Sequence, residues 1–379
     1  MMGVRILHTA DWQIAKQFES LGAPPDKLAY LRQERLSVVR RIGDLAVSEK
    51  VGAILVAGDI FDRNDISDLP VRELLHILRA VEIPWLLLPG NHDPFTVESV
   101  WERMLRFGCP PHVHVLRTGD PVILCDGRLA VIPAPLTRRH QYEDPTELFA
   151  TIETPEGAIR VGLAHGSVRN RLPEASEQYN MISDTRAIDA RLDYLALGDW
   201  HGAAEIADRT WYSGTPEADS FLQSEAGHVL IVDLPSVGQA PKVTRVFTGH
   251  YRWYDLEATL QSPDARQDLD SVVSIIEEPR AAAVVQLTLR GAVSLSERAR
   301  VADHISELEA EVQVLRANLD ELIAAPSDAD LDEIGRQGFI GTVVQRLRAV
   351  HADASNPDHR HAATALQRLY IEHVLGGRL

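Results

Sequence analysis

The sequence predicts an α/β fold: a mixed-sheet β-sandwich flanked by helices, followed by a small α+β domain and a helical C-terminal region. Three observations predict it. From Val4 to Leu88 short aliphatic runs alternate with amphipathic helical stretches. Beyond that, aliphatic runs recur at spacings closer to hairpins, so antiparallel pairs join the sheet. Around Gly249 the pattern changes again, into a compact strand–helix alternation.

The elements follow in order. Val4 to Leu7 is the first strand, and His8-Thr9-Ala10-Asp11-Trp12-Gln13 is the loop that leaves it. Leu28, Leu31, Val38, Val39, Ile42, Leu45 and Ala46 fall on one face of a helix. Ala53 to Ala57 is a second strand, and Leu74, Leu75 and Leu78 mark a second helix. Trp85 to Leu88 is a third strand, ending at Pro89-Gly90-Asn91-His92-Asp93. Strand, helix, strand, helix, strand is the doubly wound pattern of a parallel sheet. Later strands are expected at Val122–Leu124, Leu129–Ile132, Ile159–Ala164, Tyr194–Leu197, His228–Leu234 and Lys242–Phe247. Past Gly249, Trp253–Leu260 alternates like a strand, Ala265–Ile276 suits a helix and Ala283–Leu289 alternates again. Ser296–Leu308 is helical, with a last strand at Val312–Leu315. After Pro326 two helices follow, one carrying Leu331 to Leu347 and one carrying Leu366, Leu369, Tyr370 and Val374. The expected domains are residues 1–249, 250–318 and 319–379.

At 379 residues the chain is long enough for a full core and more than one domain. Its apolar fraction of 45% and charged fraction of 25% are those of an ordinary globular protein. The two cysteines, Cys109 and Cys125, exclude a disulfide framework or a cysteine zinc cluster and suit a reducing compartment. Met1-Met2-Gly3-Val4-Arg5 leads straight into a strand, with no secretory apolar region. No apolar run approaches the roughly 20 residues of a membrane helix. A cytoplasmic location and no membrane partner are therefore expected. The net charge of −17 excludes a protein that coats nucleic acid nonspecifically, because duplex binding works through Lys and Arg displacing counterions. Any nucleic-acid contact must be local.

Chemistry gathers at five strand ends. They hold Asp11 and Gln13; Asp59 and Asp62; Asn91 and His92; His165; and Asp199 and His201. In an open α/β sheet such carboxyl ends converge on one crevice. Residues two apart in an extended loop point to the same side, so Asp11/Gln13 and Asp199/His201 each offer two ligands to one place. Carboxylate, amide and imidazole together suit Mn²⁺, Fe or Zn better than an ion bound by oxygen alone. Asp59 reads as a carboxylate shared by two ions, and Asp62 as the partner of a catalytic histidine. Singly, each piece has a plainer explanation: a carboxylate after a strand is commonly an N-cap, and Asn and Asp are common in turns. Their joint occurrence, always after a strand, favours a metal centre.

In His8-Thr9-Ala10-Asp11, Gly58-Asp59-Ile60-Phe61-Asp62, Gly90-Asn91-His92-Asp93, Ala164-His165-Gly166, Gly198-Asp199-Trp200-His201 and Tyr212-Ser213-Gly214-Thr215-Pro216-Glu217 the chain resembles the calcineurin-like metallophosphoesterases. Within them it is most similar to the branch of the SbcCD nuclease subunit and the YhaO-like DNA repair exonucleases. The resemblance implies two divalent ions, usually Mn²⁺: one on Asp11, Gln13, Asp59 and His201, the other on Asp59, Asn91, His165 and Asp199. It makes His92 the catalytic histidine, oriented by Asp62. Gln13 stands where the family usually has histidine, and Asp199 where the nuclease branch often has one. Three anionic ligands make the site harder, which favours Mn²⁺ over Zn²⁺ and holds the Gln13 ion less firmly.

The resemblance also implies DNA as substrate, a small domain that directs it (residues 250–318), and C-terminal helices (319–379) that dock on an SbcC-like coiled-coil ATPase. Members of the branch are often homodimers, but the sequence marks no dimer surface. Arg63, Arg169 and Arg171, with Arg138 and Arg139, fall in loops near the crevice where they can meet phosphates, although a solvated loop charge explains any one of them as well. His140 and Trp200 can stack on a base. Two other readings compete with the nuclease: a phosphoesterase for small phosphodiesters or phosphomonoesters, and a non-catalytic scaffold with a degenerate site. The extra domain and helical tail argue against the first, and retention of His92, Asp62, Asn91 and His165 against the second.

Overall fold

The computed structural model describes residues 3–169, 179–222, 225–261, 265–324, 331–332, 338–353 and 355–376. The chain divides into two compact units, residues 1–20 with 24–251 and residues 21–23 with 252–379.

The first unit contains two six-stranded sheets. In the first sheet, β1 (Val4–Thr9), β2 (Ala53–Val56), β3 (Trp85–Leu87) and β4 (Val113–Val115) run parallel. β11 (His228–Leu234) joins β1 antiparallel, and β12 (Lys242–Phe247) joins β11 in the same way. The second sheet runs in the order β5 (Val122–Leu124), β6 (Leu129–Ala134), β7 (Ile159–His165), β8 (Tyr194–Gly198), β10 (Thr210–Tyr212) and β9 (Ala204–Ala207). Its four inner strands are parallel, and β5 and β9 close it antiparallel. This is the mixed-sheet sandwich flanked by helices that the sequence predicts.

The strand period sorts side chains into layers. Ile6, Leu55 and Leu86 point between the sheets and pack with Val131, Val161, Leu163 and Ala196. Their neighbours Leu7, Ile54 and Leu87 point outward, onto Val39 and Ile42 of α1 (Pro25–Ser48) and Leu74 and Leu78 of α2 (Asp68–Arg79). Strands covered on both faces are apolar throughout, which is why β2 and β3 read as unbroken aliphatic runs. Helix α3 (Val100–Arg106) and strands β4, β9 and β10 were not marked by the sequence. Each is seven residues or shorter, and β9 alternates half-buried with exposed positions at the sheet edge, so little periodicity is available to read. Leu195 and Leu197 of the second sheet face a separate cluster with Ile132, Phe149 and Ala187, the last on the single-turn helix α4 (Arg186–Asp189).

The second unit is a three-stranded parallel sheet, β13 (Arg252–Gln261), β14 (Ala283–Val293) and β15 (Val314–Ala324), connected through α5 (Ala265–Val273) and α6 (Leu295–Glu311). Helix α6 starts in a reciprocal cap, Ser294 taking the Glu297 N–H while the Glu297 carboxylate takes that of Ser294. Leu256, Leu287, Leu289, Leu269 and Val301 form its core. Two helices, α7 (Gly338–Ala352) and α8 (His359–Gly376), complete it, with Leu331, Val344 and Leu366 packed together. Among the described residues no helix is long and apolar enough to cross a membrane.

One buried polar link ties the two sheets of the sandwich together beneath the strand ends. His8 of β1 donates from Nε2 to the Leu197 carbonyl, so its neutral Nδ1 accepts from the Tyr194 hydroxyl. Burial pulls its pKa down to about 3, against the backbone hydrogen bond, which raises it. The unfolded chain takes up this proton below the ordinary histidine pKa of about 6.5 and the folded chain does not, so stability is lost as pH falls through that value. Between pH 7.5 and pH 5 this group alone should cost about 2 kcal/mol. Urea unfolding of the wild type and His8→Gln at both pH values measures it: the wild type should lose that much more than the variant. Equal losses would place the acid sensitivity elsewhere.

Candidate metal centre

Parallel pairing of β1 with β2 continues past the strand ends and brings their loops together. Asp11 N–H donates to Gly58 O (3.0 Å), Gln13 N–H to Asp59 O (2.9 Å) and Ile14 N–H to Ile60 O (2.9 Å). To turn their side chains into the crevice, Asp11, Gln13, Asp59 and Asp199 adopt left-handed backbone conformations, with φ of 53°, 43°, 52° and 100°. Such conformations are uncommon outside glycine and concentrate at functional sites. Gly58 and Gly90 provide clearance: a Cβ on the first would collide with the His165 ring, and on the second with the Asp59 carboxylate.

Three oxygens surround Nε2 of buried His165: Asn91 Oδ1 at 3.1 Å, Asp59 Oδ1 at 3.4 Å and Asp199 Oδ1 at 3.7 Å. Nδ1 of the ring lies 2.8 Å from the Ala57 carbonyl, which can only accept, so Nδ1 carries a proton, and Nε2 is the nitrogen that would offer a lone pair to a cation once it gives up its own. Such backbone anchoring is common for histidines that bind metals. Oxygens and one imidazole nitrogen at these separations are a donor set for a hard or borderline divalent cation. Asp11, Asp59 and His165 present ligand atoms within 4.8 Å of one another. Burial alone would lower the His165 pKa, but the carboxylates of Asp59, Asp11 and Asp199 outweigh it and raise it to about 9. The same negative field attracts a cation. Asp199 is steadied by the Ser167 hydroxyl at 2.8 Å, and the Tyr212 hydroxyl holds the intervening loop by donating to Gly166 O and accepting from Val168 N–H.

The Gly-Asn-His-Asp turn is fastened by its last residue. Asp93 is fully buried and accepts from Gly90 N–H (2.7 Å) and Phe61 N–H (3.0 Å), which locks the Asn91–His92 turn to the Asp59 loop. His92 N–H donates to Asp59 Oδ1 (2.9 Å), and its ring Nδ1 lies 3.0 Å from the backbone carbonyl of Asp62. Asp62 therefore meets His92 through its main chain.

On the far side of Asp59 lie Asp11, Gln13 and His201. The buried Asp11 carboxylate accepts from Asp199 N–H (3.2 Å) and has His201 Nε2 at 3.8 Å. Burial pushes its pKa up to about 6, while His201 and His165 pull the other way. His201 Nδ1 faces Asp219 Oδ1 at 3.5 Å, and Asp219 also meets Lys16 Nζ at 2.7 Å and Arg35 at 3.2 Å. Burial would raise the Asp219 pKa, but Arg35, His201 and Lys16 hold it well below the usual carboxylate range.

Arg35 is the organiser on this side. It projects from the middle of α1 with no solvent exposure and donates to the carbonyls of Asp11, Trp12 and Glu217 and to the Asp219 carboxylate. The loop after β1 and the Thr215–Asp219 segment are thus tied to one helix. Arg35 stands four residues after Leu31 and four before Val39, on the apolar face itself. A charge at that phase is the sequence signal that was available for it.

Asp11, Gln13, Asp59, Asn91, His92, His165, Asp199 and His201 are therefore neighbours. The described arginines among the candidates are loop charges at the surface. Arg63 is exposed and pairs with Asp65 at 3.1 Å, Arg138, Arg139 and Arg169 are exposed, and Arg171 lies outside the described residues. Trp200 packs against the Ile132–Leu197 cluster, and His140 stacks on Tyr179 at 4.5 Å. Sequence reasoning assigned no role to Arg35, Asp93, Asp219, Ser167 and Lys16, although Asp93 and Ser167 stand two residues past Asn91 and His165, the spacing that pairs Asp11 with Gln13.

A family model described as calcineurin-like phosphoesterase matches residues 4–251. Among curated proteins, the chain is 27% identical over 274 residues to the DNA double-strand break repair protein Mre11 of Aeropyrum pernix, covering 68% of this chain and 64% of that protein. It is 28% identical over 273 residues to an SbcCD nuclease subunit of Bacillus subtilis, covering 61% and 66%. It is 24% identical over 204 residues to the uncharacterized metallophosphoesterase YhaO of the same species, covering 52% and 48%. The matches thus span just under two thirds of the first two relatives and about half of the third.

Because Arg35 is a buried cation whose removal strips Asp219 of a partner and three carbonyls of a donor, Arg35→Met should lower stability by about 3–5 kcal/mol. The midpoint of urea unfolding, with the slope unchanged, reads the loss. A drop below about 1 kcal/mol, the scale of an exposed pair, would show that the loops hold without it.

Proposed function

The chain belongs to the calcineurin-like phosphoesterases, and from that premise we propose that it is a metal-dependent DNA nuclease that hydrolyses phosphodiester bonds with two divalent ions, most suitably Mn²⁺. Metal-dependent phosphoester hydrolysis is what the family implies. The step to DNA is supported by the relatives whose names are those of a DNA double-strand break repair protein and a nuclease subunit. The observation that carries the reading is the gathering of Asn91, Asp59 and Asp199 oxygens within 3.1–3.7 Å of His165 Nε2, with His92 anchored on the neighbouring turn.

In this proposal one ion is held by Asp59, Asn91, His165 and Asp199, and the other by Asp11, Gln13, Asp59 and His201. When bound, they supply Lewis acidity and an activated water for in-line displacement at phosphorus. The rest is done by the chain. The His92 ring rests with Nδ1 against the Asp62 carbonyl at 3.0 Å; Nδ1 then keeps its proton, and Nε2 is the atom that passes one to the departing oxygen. Asp93 fixes the turn that carries it. Arg63 and Arg169, both exposed, are the described candidates for phosphate contacts. Residues 250–318 are proposed to direct DNA and residues 319–379 to dock on an SbcC-like coiled-coil ATPase.

Incubating the purified chain with linear DNA and with a nitrophenyl phosphodiester tests the reading. Both activities should fall to background after chelation and return with Mn²⁺. His92→Ala, folded and still binding metal, should lower both roughly 100-fold to 10,000-fold. Cleavage of the small ester alone would reassign the substrate, and metal binding without turnover would make the chain a scaffold.

A further inference from the structure

Lys16 lies three residues past Gln13, and its Nζ donates to Gln13 Oε1 at 2.9 Å and to Asp219 Oδ2 at 2.7 Å. An ammonium group only donates, so the Gln13 amide must keep its oxygen toward Lys16. Its NH₂ then faces Nε2 of His201 at 3.3 Å. An amide NH₂ has no lone pair for a cation, and the nitrogen it faces is the one His201 would offer, because Nδ1 is turned to Asp219. In this arrangement the Gln13 oxygen and the His201 ligating nitrogen are both engaged within the protein.

The other half of the centre is built differently. There His165 Nε2 is faced by oxygens from Asn91, Asp59 and Asp199, with its tautomer fixed by Ala57. The groups that steady those carboxylates are neutral donors, the His92 N–H on Asp59 and the Ser167 hydroxyl on Asp199. The Asp11 side has two protein cations, Lys16 and Arg35, gathered on Asp219.

We infer that Lys16 makes the centre unequal: a first divalent cation enters at Asp59, Asn91, His165 and Asp199, and a second enters beside Asp11 and His201 only when the Lys16–Gln13 hydrogen bond opens. The inference rests on the two-ion reading above and adds a gate to it. Apparent affinity for the second ion is the intrinsic affinity reduced by the fraction of chains in which that bond is open. Asp219 keeps Arg35 as a partner when Lys16 lets go, so the gate can open without stranding a buried charge. Activity would then follow divalent-cation concentration through the second ion.

Titration of the metal-free full chain with Mn²⁺ alone, free Mn²⁺ being read by electron paramagnetic resonance, tests it without reference to activity. The wild type should bind one equivalent tightly and a second at least roughly tenfold more weakly, the scale of one charge-assisted hydrogen bond. Lys16→Met should tighten the second step roughly tenfold or more while leaving the first in place. Lys16→Ala, which removes the donor and leaves Gln13 in place, should do the same and serves if the first variant does not fold. Two indistinguishable sites in the wild type, or variants that titrate like it, would overturn the gate and leave the two-ion reading standing. No tight Mn²⁺ in the wild type would remove that reading and the gate with it.

Discussion

Two carboxylates, Asp11 and Asp59, are held almost without solvent exposure at the end of an apolar sandwich, and most of the local architecture answers that demand. A buried charge is tolerated only when it is paired and hydrogen-bonded. Around Asp59 the answer is a backbone donor from His92 and a glycine that lets the turn come close. Around Asp11 it is the Asp199 N–H, with Arg35 drawing in the carbonyl of the same residue. His165, between them, holds its ring by the Ala57 carbonyl and turns Nε2 toward the oxygens of Asn91, Asp59 and Asp199. A divalent cation suits this set because it supplies what the protein's own donors do not: concentrated positive charge with directional ligands.

Bringing the carboxylates together requires backbone that the chain would otherwise avoid. Four site residues lie at positive φ, each costing on the order of 1–3 kcal/mol. Three of the four lie where β1 and β2 end, and the ladder of hydrogen bonds from Asp11 to Asp62 runs straight through them. That ladder keeps the loops in register after the strands have stopped. The layered core beneath supplies the stability that offsets the strain: Ile54 and Leu55, side by side in sequence, serve opposite faces of the same sheet. His8 adds a polar link of its own, since its neutral imidazole reaches from β1 to Tyr194 and Leu197 of the other sheet through an otherwise apolar layer.

Much of this was legible in the sequence, for reasons that also explain what was not. The parallel strands announce themselves because burial on both faces forces an unbroken aliphatic run, and ligand-type residues just after such runs mark the crevice. Edge elements such as β4 and β9 are too short for a period to show. Arg35 was hidden because the apolar phase of α1 draws attention to its neighbours, so the one residue that breaks the phase is passed over. Asp219 lies far along the chain from the Asp11 loop that it serves, and only folding brings it to Lys16, Arg35 and His201. The contact between Asp62 and His92 uses a main-chain carbonyl, which any residue type provides. Loop charges such as Arg63 are drawn to a nearby carboxylate, Asp65, a competition that spacing does not reveal.

The need to pair every buried polar group also explains why an amide can stand at position 13. Gln13 has one donor end and one acceptor end, and the protein uses both: the acceptor for Lys16, the donor for His201. The glutamine, the lysine and the buried carboxylate of Asp219 therefore form one unit, in which each polar atom named has a partner of complementary type. Fully satisfied networks of this kind resist piecemeal change, because removing one member leaves another buried and unpaired. That physical coupling, rather than any preference of a cation for amide oxygen, accounts for the company Gln13 keeps. It also makes the Asp11 side of the centre a polar network that contains two protein cations, while the Asp59 side is steadied by neutral donors and the Ala57 carbonyl.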